Sequence, residues 1–546
     1  MNLHYYLLLL FAIASCRSKT PVDLIVHHAM IYTADSSFSI AEAMAIKEGK
    51  IAAVGSNAKM LDLYTADKMI DAGGRPIYPG FIDAHAHFYG YALSLLEVDL
   101  TGTKSWNECL ERLRRFVAGK SLAPGQWIVG RGWDQNDWQE KIFPTKDSLD
   151  ILFSNNPILL RRIDGHAAIA NEAALRLAGL KAGATAEGGL IETRHDRLTG
   201  ILIDNAIGSV SSLIPEPTPD ALQVAFKKAE AHCFAVGLTT IVDCGLMRRQ
   251  VEQIDSLQKN GALRMRVVAL LSDATENYDY YLPKGVYKTS RLNVNGFKLF
   301  ADGALGSRGA CLLQPYHDQP GWRGFMLNNT AHFATVLRKI YNSPFQACTH
   351  AIGDSANRTI LKLYAGILKN KNDRRWRIEH AQIIDTADLH YFGQFQIIPS
   401  VQPTHATSDM YWAEDRLGKE RIGSAYAYNA LLQQNGWMSL GTDFPVEDIS
   451  PMKTFYAAVV RKDASGFPAG GFEISNAISR EQTLRGMTIW AARGSFEEKE
   501  KGSIEQGKLA DFVITDTDIM QCEPTKILQT KVMATYVNGE SVFERK

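Results

Sequence analysis

Two histidines, His85 and His87, stand one residue apart in the stretch YPGFIDAHAHFYG, Tyr78 to Gly90. In an extended strand, side chains two residues apart share a face. Both imidazoles can therefore reach one ion, and neutral imidazole ligates zinc and similar metals. Four more residues of ligand type stand near the ends of other short apolar runs: Lys298 in GFKLFADG, His350 in CTHAIGD, His380 in RIEHAQ and Asp443 in GTDFP. Taken singly, each has an ordinary explanation. A lone His-x-His is most often a loop accident, an Asp after Gly-Thr a turn or helix cap, and a Lys at a strand end a solvated or salt-bridged group. Their recurrence at one structural place, the end of an apolar run, favours a metal centre.

The elements that must position these groups are eight apolar runs: GFIDAHAHF, LTTIVDCG, RMRVVALLSD, VNGFKLFADG, FQACTHAIGD, RWRIEHAQ, FQIIPSVQPTH and WMSLGTDFP. Helical patterns such as DALQVAFKKAEAHCFAVG, HFATVLRKIYNS and ANRTILKLYAGILKN lie between them. Eight strands alternating with helices predict an α/β fold of the (β/α)8 TIM-barrel type, in which active sites sit at the C-terminal ends of the strands. No GxGxxG follows a strand, which disfavours a doubly wound open sheet. Residues of about 100–235 break the alternation and read as an insertion after the first strand, over the catalytic face.

Both ends of the chain read as short strands joined by tight turns, with Asn538-Gly539 a strong hairpin signal. The expected organisation is a small β-sandwich built from residues 22–80 with 496–546, and a barrel over residues 81–495. Ahead of these, YYLLLLFAIAS is too short for a membrane span, which needs about 20 apolar residues. It reads as the core of a secretory signal over residues 1–15. The segment Ile13 to Cys16 resembles a bacterial lipobox, with residues 16–21 as a polar spacer. Lipid on Cys16 would hold the chain to a membrane surface without a spanning helix. The expected location is then the bacterial cell envelope.

Lys and Arg together number 59, as do Asp and Glu, so nothing points to nucleic acid as a partner. With 46% apolar and 22% charged residues the chain reads as globular. The cysteines after Cys16 form no CxxC pair and read as small core residues.

PGFIDAHAHF, KLFADGALGSR, THAIGD, RIEHAQ, QPTHA and GTDFPVE together resemble the amidohydrolase superfamily. The resemblance is strongest to its amidohydrolase family 3 (YtcJ-like) branch, which includes N-substituted formamide deformylases. GSIEQGKLADFVITD is similar to that superfamily's closing segment. The resemblance implies a hydrolase of non-peptide carbon–nitrogen bonds, acting on a small amide-type substrate through one or two divalent ions (zinc, iron or manganese). It implies His85, His87, His350, His380 and Asp443 as ligands, with Asp443 also the general base and acid. It implies Lys298 as the lysine that is carboxylated in two-metal members and bridges the ions.

Residues expected near the substrate are Trp133 and Asp134 in RGWDQNDW, His166 in RIDGHAAIANEAAL, Asp302 and Arg308 in FADGALGSR, and His405 in QPTHA. Trp133 would cover an apolar group and His166 would hydrogen-bond the carbonyl, against the simpler readings of a structural Trp and a turn. Asp302 and Arg308 are either pocket-loop residues or an ion pair with each other. His405 is expected to line the pocket without binding metal. Two other functions fit the same fold. One is a non-catalytic lipoprotein that binds a small molecule in the barrel mouth. The other is a metal-dependent isomerase or decarboxylase. The complete ligand set favours catalysis over the first.

Overall fold

The computed structural model describes residues 19–119 and 122–546; the signal segment and Cys16 lie outside the described residues. Eight parallel strands wrap into a barrel. They are β1 (Phe81–Ala86), β2 (Leu238–Leu246), β3 (Arg266–Ser272) and β4 (Leu292–Phe300), then β5 (Gln346–Ala351), β6 (Arg377–His380), β7 (Ile398–Val401) and β8 (Ser439–Leu440). Each pairs in parallel with the next. These strands read as continuous apolar runs because side chains on both faces are covered. All six residues of β1 are buried.

The seam between β8 and β1 is closed by the residues that follow β8. Thr442 donates its backbone N–H (3.0 Å) and its hydroxyl (2.7 Å) to the Asp83 carboxylate. The Asp443 N–H reaches the His85 carbonyl at 2.7 Å, and the His87 N–H reaches the Phe444 carbonyl at 2.8 Å. Gly441 makes this approach possible: a Cβ there would lie 2.5 Å from the His85 nitrogen and 2.7 Å from Asp83 Oδ1.

Helices cover the outside of the barrel, each through one apolar stripe. The helix Thr330–Tyr341 buries Phe333, Val336, Leu337 and Ile340, and Asn329 caps its start by accepting the His332 N–H. The helix Pro219–Ala235 buries Leu222, Phe226 and Cys233 in the same core as Phe81 and Phe88.

Strands from before and after the barrel meet in one six-stranded sheet. Ile40–Ala41, Met30–Tyr32 and Pro76–Pro79 continue into Phe512–Thr515, Val532–Val537 and Glu540–Glu544. A four-stranded sheet, which includes Thr20–His27 and Tyr64–Asp71, packs on it through Leu24, Val26, Met44, Ile77 and Phe512. Asn538 (φ 54°) and Gly539 (φ 72°) turn the last hairpin, the paired positive φ values of a type I′ turn.

Between β1 and β2 lies a further six-stranded sheet, from Val98–Asp99 to Arg197–Asp204, with a core of its own around Trp133, Trp138 and Leu160. The insertion is thus shorter at its far end than residues 100–235. The segment after it forms the helix Pro219–Ala235, whose apolar stripe belongs to the barrel. Cys109, Cys233, Cys244 and Cys348 are buried free thiols. Among the described residues no helix is long and apolar enough to cross a membrane.

Candidate metal centre

The ligand-type residues converge at the C-terminal mouth of the barrel. His85 lies in β1, and His87 follows it at the entry to the helix Phe88–Ser94, with its side chain unused for capping. Lys298, His350 and His380 lie in β4, β5 and β6, and Asp443 follows β8. The rings of His85 and His380 are 4.7 Å apart, and those of His350 and His380 4.6 Å apart. Asp443 Oδ1 is 3.1 Å from His87 Nε2 and 3.5 Å from His85 Nε2. His380 (φ 71°) and Asp443 (φ 63°) both hold left-handed backbone. Such a conformation costs free energy in non-glycine residues and clusters at functional sites.

The outward nitrogens of two rings are tied down. His85 Nδ1 is 2.6 Å from Glu379 Oε2, and His380 Nδ1 is 2.7 Å from Gln402 Oε1. A ring whose Nδ1–H is donated in this way presents Nε2 as a lone-pair donor. Meanwhile His350 Nε2 is buried without a hydrogen-bond partner, with Asp302 Oδ1 3.7 Å away. Native proteins rarely leave such atoms unpaired. The donor atoms of His85, His87 and Asp443 lie within 4.8 Å of one another. These residues fit a divalent ion: imidazoles and one carboxylate bring their donor atoms together at the mouth, and His350 Nε2 is buried there without a hydrogen bond.

The electrostatics agree. Burial, with the Lys298 charge, pushes His85 down to about 4. Burial, with neighbouring rings, holds His350 and His380 well below the usual histidine range. All three are neutral near pH 7, as ligation requires. Burial opposes charge on Asp443 and Glu379, but their histidine partners outweigh it. The Asp443 carboxyl is held well below its ordinary value, and Glu379 falls to about 2. Lys298 is fully buried and its Nζ donates to His85 Nε2 at 3.1 Å. No carboxylate pairs with it among the described residues.

His405 lines the mouth. Its Nε2 is 3.3 Å from Asp443 Oδ2 and its Nδ1 3.0 Å from Glu447 Oε1. Burial opposes its charge, but these two carboxylates raise it well above the usual range. An imidazolium donates protons and cannot ligate, although its position also groups it with His380 and Asp443 as a possible donor set.

The mouth opens into a cavity of about 1350 Å³ shared between barrel and insertion. Asp134 and His166 line it. Asp134 is paired with Arg162. His166 donates to Asp204 Oδ1 at 2.7 Å, and its ring lies 5.1 Å from that of His350. The Asp204 carboxylate packs so closely on the loop after β4 that a Cβ at Gly303 or Gly309 would meet it at 2.5 Å.

Three expectations need correction. Trp133 is fully buried in the core of the insertion, against Trp138 and Phe143, with its Nε1–H donated to the Leu160 carbonyl. It has no surface left to cover a substrate. Asp302 does not line the cavity. It accepts the backbone N–H groups of Cys311, Ile352 and Gly353 at 2.8 to 3.0 Å, and burial pushes its carboxyl up to about 7. Arg308 pairs with Asp318 at 2.8 Å rather than with Asp302. Sequence reasoning also missed Glu379 and Gln402, which orient the histidines, and Arg131. The Arg131 guanidinium bonds the Pro445 carbonyl at 2.5 Å and the Ile163 carbonyl at 2.6 Å, joining the insertion to the loop that carries Asp443.

Comparison with known proteins places this geometry. The model of the Amidohydrolase family matches residues 68–543. Protein LONG AFTER FAR-RED 3 of Arabidopsis thaliana is 32% identical, over 97% of this chain and 94% of its own. N-substituted formamide deformylase of Arthrobacter pascens is 26% identical, over 96% and 98%. The crystal structure of an uncharacterized metal-dependent hydrolase from Pyrococcus horikoshii OT3 superimposes with a TM-score of 0.74 at 26% identity, covering 92% of this chain and 99% of that one.

Proposed function

This chain belongs to the amidohydrolase family, and from that premise we propose a metal-dependent hydrolase of non-peptide carbon–nitrogen bonds, such as those of amides and N-substituted formamides. The observation that carries the reading is the meeting of the His85, His87 and Asp443 donor atoms at one barrel mouth, beside the buried and unbonded His350 Nε2. The formamide deformylase from Arthrobacter pascens supports the bond type.

His85, His87, His350, His380 and Asp443 would hold the ion. A divalent ion there supplies Lewis acidity, lowering the pKa of water to about 7 and polarising a carbonyl. The residues do the rest. Glu379 and Gln402 fix the ring orientations. The Asp443 carboxylate, ionised near neutral pH, accepts a proton from the attacking water and returns it to the leaving nitrogen as the carbon–nitrogen bond breaks. His405, bridging Asp443 and Glu447, keeps that carboxylate in place. His166, held by Asp204, is positioned to hydrogen-bond the substrate carbonyl. Lys298 is proposed as a carboxylated lysine: its buried side chain has no anionic partner among the described residues, and its deprotonated amine would take up carbon dioxide and release a proton, replacing a cation that would repel the ion with an anion that would bind it. The proposal extends to Cys16 as a lipid anchor in the cell envelope.

The test is to purify the chain, measure bound metal, and screen N-formyl and N-acyl amides, cyclic amides and esters. Turnover of an amide that Asp443→Asn abolishes while retaining metal supports the reading. Folded protein that stays inert after zinc, iron and manganese addition overturns it.

A further inference from the structure

A second group of metal-ligand side chains lies outside the barrel. It sits where the strand Thr20–His27 ends beside Tyr64–Asp71, at the register pair His27 and Asp71. The donor atoms of His27, His28 and Asp71 lie within 4.8 Å of one another. His28 Nδ1 is 3.2 Å from Asp71 Oδ2. None of the three lines the barrel cavity.

Consecutive residues of a strand point to opposite faces, so His27 and His28 should diverge. They do not, because the chain leaves the strand at His28 with φ at 50°, an uncommon value outside glycine. The two rings then meet edge to face, 4.7 Å apart. The corner is stitched in place. The His28 N–H donates to Asn57 Oδ1 at 2.8 Å, and the His27 and His28 carbonyls accept the Ala72 and Gly74 N–H groups at 2.9 and 2.6 Å. Gly73 donates its N–H to Asp71 Oδ1 at 2.9 Å, which leaves Oδ2 turned towards His28.

An exposed His–Asp pair alone would explain His28 and Asp71, and would contribute little. It does not explain His27, whose Nδ1 is buried with no hydrogen-bond partner among the described residues. Nor does it explain a strained, fixed backbone that brings a third donor to the pair.

We propose that His27, His28 and Asp71 form a second metal site, which takes one divalent transition ion of the zinc class. Two imidazole nitrogens and one carboxylate oxygen are a borderline donor set. They suit zinc, nickel or copper rather than calcium or magnesium, which take oxygen ligands. The side chains of His28 and Asp71 are 55% and 58% exposed, so the remaining coordination positions are open to water and the ion exchanges with solvent. Bound there, it clamps the strand Thr20–His27 to Tyr64–Asp71 and stabilises the folded chain by mass action.

The test is zinc uptake by the full chain at stepped, buffered free zinc, counted per chain by elemental analysis, for wild type, His28→Asn and Asp71→Asn. Asparagine tolerates left-handed backbone at position 28 and keeps an oxygen for the Gly73 N–H at position 71. Each variant should saturate one zinc equivalent below wild type, and zinc should raise the unfolding temperature of wild type more than that of either variant. Equal zinc content in all three proteins, or loss of all bound zinc in the variants, overturns the proposal.

Discussion

Glu379 Oε2 lies 2.6 Å from His85 Nδ1, and both side chains are wholly buried. Residues 294 apart in sequence thus form a carboxylate–imidazole pair whose far nitrogen faces the metal centre. The carboxylate fixes the ring's tautomer and makes Nε2 a better donor. Glu379→Gln keeps the shape and removes the charge. It should weaken metal retention by about 10- to 100-fold, the usual cost of losing such a partner. Metal content after dialysis against a graded chelator checks this; retention equal to wild type would count against the role.

The same ring sets a pH dependence in the metal-free protein. Burial and Lys298 depress His85 from 6.5 to about 4. Between those values the unfolded chain takes up a proton that the folded chain does not. The contribution of neutral His85 is therefore fully present above pH 6.5 and is lost as pH falls towards 4. The buried carboxyls Asp83 and Asp302, pushed up to about 7 by burial, run in the opposite sense, so the raw stability curve mixes both signs. The comparison with His85→Gln removes the ring's titration and, with it, the lowering of Glu379 and Asp443 that the ring supplies, which shifts the difference in the same direction. The stability difference between wild type and variant should shift against wild type by on the order of 3 kcal/mol from pH 6.5 to pH 4. Denaturant unfolding of both apo proteins across that range measures it, and a flat difference would refute it.

Gly441 couples barrel closure to the site. A methyl group there meets the His85 nitrogen and Asp83 Oδ1 well inside contact distance, and both belong to the strand that carries the first ligands. Gly441→Ala should cost about 1 to 3 kcal/mol, as overpacking usually does. It should also lower metal content, because the bond from the Asp443 N–H to the His85 carbonyl crosses this seam. A variant with wild-type melting temperature and metal content would show that the seam has slack.

The barrel was legible in the sequence because its strands are covered on both faces, which leaves unbroken apolar runs ending in His85, His350, His380 or the Asp443 loop. The Asn538-Gly539 turn was legible because few residue pairs accept its backbone. Glu379 and Gln402 were not, since a lone polar residue in a short strand gains meaning only from a ring that the fold brings beside it. The end of the insertion was misplaced for a related reason. The helix Pro219–Ala235 shows the same apolar spacing whether it packs on the inserted sheet or on the barrel, and only Phe81 and Phe88 beside it decide.

Cys16 carries the proposal on location. If lipid on this residue holds the chain to a membrane, Cys16→Ser should move the protein from the membrane fraction to the soluble fraction with its hydrolytic activity intact. Fractionation of expressing cells with detergent and high-salt controls measures this. An unchanged distribution would remove the anchor from the proposal.

Trp133 separates packing from substrate contact. Its indole is enclosed by Trp138, Phe143 and neighbouring apolar residues, with its N–H spent on the Leu160 carbonyl. If it touched substrate, Trp133→Phe would raise KM. If it only packs, the variant keeps KM and loses stability through the vacated volume and the unpaired carbonyl. Truncation to alanine should cost about 3 to 5 kcal/mol and loosen the insertion that carries His166, so kcat falls with it. Steady-state kinetics of Trp133→Phe beside thermal unfolding of both variants decides the matter. The expected outcome is an unchanged KM with a lowered melting temperature, whereas a raised KM at wild-type stability would return Trp133 to the pocket.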